Sequence, residues 1–144
     1  MVPIRNSAKA LIIRDGCVLT MKMRDEEGVY FILPGGRQEP GETLADTVRR
    51  ECYEELSAEV IVHDLRFIRE HTREVPHRVE FIFRCTLKSE VGTATGSHPD
   101  DGQLGYTWLP LQQLRHTRFY PLGLRPLLDG TVQEDCPAYL GDLP

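Results

Sequence analysis

"GGRQEPGETLADTVRRECYEELSAEV", residues 35–60, is a glycine-rich turn that runs into an acidic, then apolar, segment. Thr43 can cap a helix, with Asp46 three residues on to return the bond. Leu44, Ala45, Val48, Cys52 and Leu56 recur at helical spacing and predict a helix over 43–56 with one apolar stripe. At about 100° per residue, Glu51 and Glu55 fall at the edge of that stripe and Glu54 further round. Like charges three and four apart weaken a helix by roughly 0.2–0.5 kcal/mol per pair. Either solvent screens these carboxylates, or something positive sits among them. An edge position partly desolvates them, so their repulsion is screened less than on an open surface. Hard divalent cations suit such oxygens: magnesium commonly takes one or two carboxylates plus substrate phosphates. Arg50 stands beside them and can tether a carboxylate.

Working outward, "LPGGRQEPGE" holds three glycines and two prolines, a turn that lets backbone approach a ligand. Before it, 8–14 and 17–23 flank "DG", a hairpin signal, and 29–33 is a third short strand. After the helix, 58–62 and 65–71 are expected strands. In 78–87, Val79, Phe81, Phe83, Cys85 and Leu87 alternate with Glu80, Arg84 and Thr86, which predicts one buried face. Ile82 breaks that alternation and hints at a sheet covered on both sides. A polar, Gly-rich loop (91–105) precedes a last strand in "YTWLP". Residues 111–116 and 122–130 are expected short helices, the second shaped by Pro126. The pattern is an α/β (α+β) sandwich around a mixed sheet.

The chain has 144 residues, 40% hydrophobic and 27% charged, which fits one globular domain. A net charge of −5 argues against dedicated nucleic-acid binding but leaves a nucleotide substrate open, because a metal supplies local positive charge. Cysteines 17, 52, 85 and 136 form no C-x-x-C pair and are expected as reduced thiols of a cytoplasmic protein. No stretch reaches transmembrane length, so no membrane partner is expected. His71, His77 and His98 match no metal spacing. Trp108 is expected to pack in the core rather than to stack on a base.

From Gly36 the chain runs "GRQEPGETLADTVRRECYEELSA". This resembles the box of the Nudix hydrolase family (MutT-like), G-x(5)-E-x(7)-R-E-U-x-E-E-x-G-U with U aliphatic. Gly36, Glu42, Arg50, Glu51, Glu54 and Glu55 match in register. Cys52 stands at an aliphatic position, where a free thiol packs as a small hydrophobe. Ser57 replaces a glycine, at a cost of about 1 kcal/mol if its backbone is left-handed. The resemblance is strong over 35–58 and loose over 5–128.

The resemblance implies a single Nudix domain over 1–144, with the box at 36–58, a C-terminal tail (131–144) left unassigned, and an α/β/α sandwich with a mixed central sheet. It implies hydrolysis of a nucleoside diphosphate linked to another moiety, X, by metal-activated water, with Mg²⁺ or Mn²⁺ as cofactor. A nucleotide-binding sensor of the same fold is the alternative. Glu51, Glu54 and Glu55 would hold the metal, with the Gly36 carbonyl as a further ligand. Arg50 would orient Glu51, itself a ligand or general base. Glu42 would support the loop. Asp101, beside Asp100, is the expected acidic residue from a late loop, though "DDG" is equally turn chemistry; Glu74 and Glu80 are weaker candidates. Lys22 and Arg24 are candidates for phosphate contact. A homodimer is common in the family. Members that read oxidised guanine use a late asparagine, and this chain has only Asn6. Other substrate signatures are absent or off register, so X stays unnamed.

Overall fold

The computed structural model describes residues 2–92, 103–130 and 136–144. Strands β1 (Arg5–Leu11), β2 (Ile13–Arg14), β3 (Cys17–Asp25), β4 (Gly28–Ile32) and β5 (Gly35–Arg37) precede helix α1 (Leu44–Leu56). Then come β6 (Val60–His71), β7 (Arg78–Leu87), β8 (Gln103–Pro110) and a 3-10 turn at Leu111–His116. The short strand β9 (Phe119–Tyr120), a 3-10 turn at Leu122–Leu124, helix α2 (Arg125–Leu128) and β10 (Tyr139–Asp142) complete the order.

Among the described residues two five-stranded sheets result, ordered β10-β6-β7-β1-β5 and β2-β3-β4-β9, with β8 pairing β3 in the second. The first is mixed: β1 runs parallel to β7 and antiparallel to β5, and β6 is antiparallel to β7 and parallel to β10. Helices against mixed sheets make the α/β sandwich expected from the pattern. One expected strand, 8–14, is divided. The chain leaves the first sheet after Leu11 and enters the second at Ile13, so Ala8–Leu11 and Ile13–Arg14 serve different ladders. Conversely, 58–62 and 65–71 join as one strand, because register shifts between Val62 and Leu65 and between Leu65 and Phe67 absorb the irregular stretch. The last helical region is mostly 3-10, and α2 has only four residues, with Pro126 in its first turn.

Among the described residues two buried clusters form the core. Val48, Cys52 and Leu56 of α1 pack with Ala8, Ala10, Leu19, Met21, Val60 and Cys85. Leu11, Phe67 and Ile82 pack on the opposite face of the first sheet with Leu114, Phe119, Leu124 and Leu128. Ile82 thus breaks the alternation because both faces of β7 are covered. Glu80, expected in solvent from its place in that alternation, is a correction: it is buried and paired with Arg69, Nε to Oε2 2.9 Å. The cause is distant in sequence. Arg69 also donates to the Leu143 carbonyl at 2.6 Å, so the segment around β10 covers this part of the sheet.

Candidate active site

Helix α1 begins as its sequence predicts. The Thr43 hydroxyl accepts from the Asp46 amide (3.1 Å), and the Asp46 carboxylate accepts from the Thr43 amide (3.0 Å). It ends at Ser57, which has φ 49° and ψ 40° and caps through its amide to the Tyr53 carbonyl. The left-handed backbone is therefore present at the position where serine stands for glycine.

The helix holds its glutamates in graded environments. Glu55 is buried, Glu51 half-buried and Glu54 exposed. Glu55 Oε1 accepts from the Gly35 amide at 2.8 Å, and Oε2 accepts from Gln103 Nε2 at 3.0 Å. One guanidinium organises the rest. Arg50 Nε donates to Glu42 Oε2 (2.7 Å) and Nη2 to Glu42 Oε1 (3.1 Å), a bidentate pair. Its Nη1 reaches Glu51 Oε1 at 2.9 Å and Glu54 Oε2 at 3.3 Å, and its Nη2 also donates to the Arg37 carbonyl at 3.0 Å. The Glu42 carboxylate accepts further from the Glu39 amide and the Thr47 hydroxyl. Arg50 beside it pulls the Glu42 carboxyl down to about 2. Glu51 is pushed the other way: burial raises it, and Arg50 only partly opposes that.

The turn is shaped around these carboxylates. A Cβ on Gly35, whose φ is +136°, would stand 2.2 Å from the Ala8 carbonyl oxygen, so the close pairing of β5 with β1 requires glycine. A Cβ on Gly36 would lie 2.6 Å from Glu51 Oε1. Lys9 comes from the neighbouring strand, its Nζ 3.4 Å from the Leu33 carbonyl and 3.5 Å from that of Gly35.

The expected residues Gly36, Glu42, Arg50, Glu51, Glu54 and Glu55 thus share one locality. Lys22 and Arg24 alternate on β3 with the buried Met21 and Met23, and neither makes a hydrogen bond or ion pair with the glutamates among the described residues. Asp100, Asp101 and His98 lie outside the described residues. Glu74 pairs with Arg78 and Glu80 with Arg69, which accounts for both as structural carboxylates. Trp108 packs against the first cluster with Arg14 over its ring at 4.8 Å. Lys9, Gln103 and Thr47 join the site without having been singled out from the sequence. Lys9 alone carries a signal, a lone cation among Ala8, Ala10 and Leu11.

Among the described residues, no group of three or more His, Cys, Asp or Glu side chains already converges as a metal cage. The donors nevertheless fit a hard divalent cation on two observations. They are carboxylates on consecutive turns, and the lack of a side chain at Gly36 lets the Glu51 carboxylate lie against the β5 backbone. No helix among the described residues is long and apolar enough to cross a membrane.

The NUDIX domain model matches residues 2–129. Nucleoside triphosphatase NudI of Salmonella arizonae is 45% identical over 58 residues, 38% of this chain and 41% of that protein. The chain therefore spans about two fifths of the length of the curated relatives it matches. Among solved structures, a NUDIX hydrolase from Nitrosomonas europaea aligns with a TM-score of 0.73 at 19% identity, covering 90% of this chain and 89% of that one. A UDP-X diphosphatase aligns with a TM-score of 0.74 at 18% identity, covering 96% and 68%. An ADP-ribose pyrophosphatase from Streptococcus suis gives 0.65 at 18%, covering 94% and 97%. At such identities these structures show a shared fold.

Proposed function

The chain belongs to the Nudix family, and on that premise we propose that it is a magnesium-dependent hydrolase that cleaves the pyrophosphate bond of a nucleoside diphosphate linked to X. The observation that carries this reading is the set Glu51, Glu54 and Glu55 at the β5 edge, held by Arg50 and by the Gly35 amide. Those three glutamates would hold the cation, with the Gly36 carbonyl and Asp101 as further candidates. A bound divalent cation supplies the positive charge and Lewis acidity that a diphosphate needs before water can attack it.

The chain's own groups divide the remaining work. Glu42 fixes Arg50, and Arg50 fixes one oxygen of Glu51. Glu51 Oε2 accepts no hydrogen bond from the described residues, which supports Glu51 as the carboxylate that would take a proton from the attacking water. The Gly35 amide and Gln103 hold Glu55 in one rotamer.

The test is release of monophosphate from a panel of nucleotides, sugar nucleotides and dinucleoside polyphosphates, with Mg²⁺ and with chelator. We expect metal-dependent turnover of one class, reduced by about 10²–10⁴ in Glu51→Gln and Glu55→Gln. Magnesium binding without turnover of any class would instead support a nucleotide-binding sensor.

A further inference from the structure

The face of the first sheet turned away from α1 is charged at one end and apolar at the other. Register puts His71, Arg78 and Arg5 side by side across β6, β7 and β1. Arg69, Glu80, Ser7 and Arg37 make the next row, and Phe67, Ile82 and Lys9 the third. Residues paired across a ladder share a face, and the next row on that face lies two residues along. The third row enters the core through Phe67 and Ile82, and Arg69 is answered by Glu80.

Arg5 and Arg37 are different. Neither has a side-chain hydrogen bond or ion pair among the described residues. Arg5 stands directly opposite Arg78, and like charges so placed repel. Arg78 is partly answered by Glu74 and His71, but its Nε is buried without a partner. Both Arg5 and Arg37 line a groove of about 520 Å³, with Asn6 and Gln38 bonded to each other at 3.2 Å in its wall. That volume suits a small-molecule group. Two acids also line it: the Glu42 carboxylate is consumed by Arg50, and Glu39 is exposed.

The groove adjoins the cleavage machinery. Arg37 follows Gly36, whose space is taken up by Glu51, and the Arg37 carbonyl is bonded by Arg50. β5 is the edge strand of its sheet, so a ligand can pass round it from the α1 side to the arginine face. Across the ladder, Arg5 lies roughly 8 Å from Arg37 backbone to backbone, within reach of one bridging anion.

We propose that X carries a phosphomonoester and that Arg5 and Arg37 bind it in this groove. Two guanidinium forks match a dianion with three acceptor oxygens better than they match a carboxylate or a neutral sugar. The proposal rests on the hydrolase reading, and its test separates the two. Ribose 5-phosphate and ribose are titrated into metal-free protein in chelator, by calorimetry and thermal shift. Ribose 5-phosphate should bind and raise Tm, ribose should do neither, and Arg5→Gln/Arg37→Gln should weaken the binding at least about tenfold. The single variant Arg37→Glu, at an exposed side chain, should weaken it in the same direction. Equal binding of ribose 5-phosphate to wild type and both variants overturns the proposal. In parallel, paired substrates with and without a terminal phosphate on X are compared with Mg²⁺. Wild type should prefer the phosphorylated one about tenfold in kcat/KM, and the ratio should collapse in the double variant. If no substrate is cleaved, the hydrolase reading fails while the ribose 5-phosphate titration still decides the groove.

Discussion

Gly36 is glycine because Glu51 occupies the space a side chain would need. Its φ lies outside the left-handed region, so Gly36→Ala leaves the backbone content and strikes only the carboxylate. We expect Tm to change little while kcat/KM falls about 10²-fold, the effect of misplacing a reacting group by roughly 1 Å. A Tm loss equal to that of a core cavity, with kcat/KM preserved, would show that Gly36 serves packing instead. At this scale the box is legible from the amino-acid sequence alone. Gly36, Glu42, Arg50, Glu51, Glu54 and Glu55 lie within one turn and one helix, where spacing along the chain is spacing in space. Gln103 and Lys9 arrive from other strands, and no local spacing announces a contact with residue 55 or residue 35.

The helix is equally legible as an element. Its cap, its stripe of Val48, Cys52 and Leu56, and the exposure of Glu54 beside Glu51 and Glu55 follow from periodicity, whereas the deeper burial of Glu55 comes from Gly35 and Gln103. Its end is where the sequence compromises. Ser57 holds φ 49° with a Cβ attached, so Ser57→Gly should raise stability by about 1 kcal/mol, roughly 2–4 °C in Tm for a chain of this size. Unchanged or lowered stability on thermal melting would mean that the serine's own contacts outweigh the strain. The strands are harder to read. β6 passes through two register shifts that disguise one strand as two. The alternation in β7 assigns Glu80 to solvent because a strand records which residues share a face, not what later covers that face.

Over the whole molecule, that cover is the segment around β10, which no local signal in the tail predicts. It pairs with β6, bonds Arg69 through the Leu143 carbonyl, and reaches the amide of Gly123 from the Pro144 carbonyl at 2.9 Å. Burial alone would raise the Glu80 carboxyl, but Lys9, Arg69 and Arg78 outweigh it and hold Glu80 below its usual value of 4.5. A lowered acid stabilises the fold above its unfolded value and loses that contribution as pH falls through and below it. Arg69→Met should therefore destabilise the protein at neutral pH by about 3 kcal/mol, since it strands a buried carboxylate. The deficit should shrink in urea melts as pH drops below about 4.5, once Glu80 can be protonated in both states. A deficit that stays constant with pH would assign the loss to packing. Synthesis imposes an order on this arrangement. Residues 136–144 leave the ribosome after every strand they cover, so a nascent chain that has already paired β6 with β7 still has the Arg69–Glu80 pair open to water. Translation therefore lets this sheet face become dry only after the strands beneath it have been made.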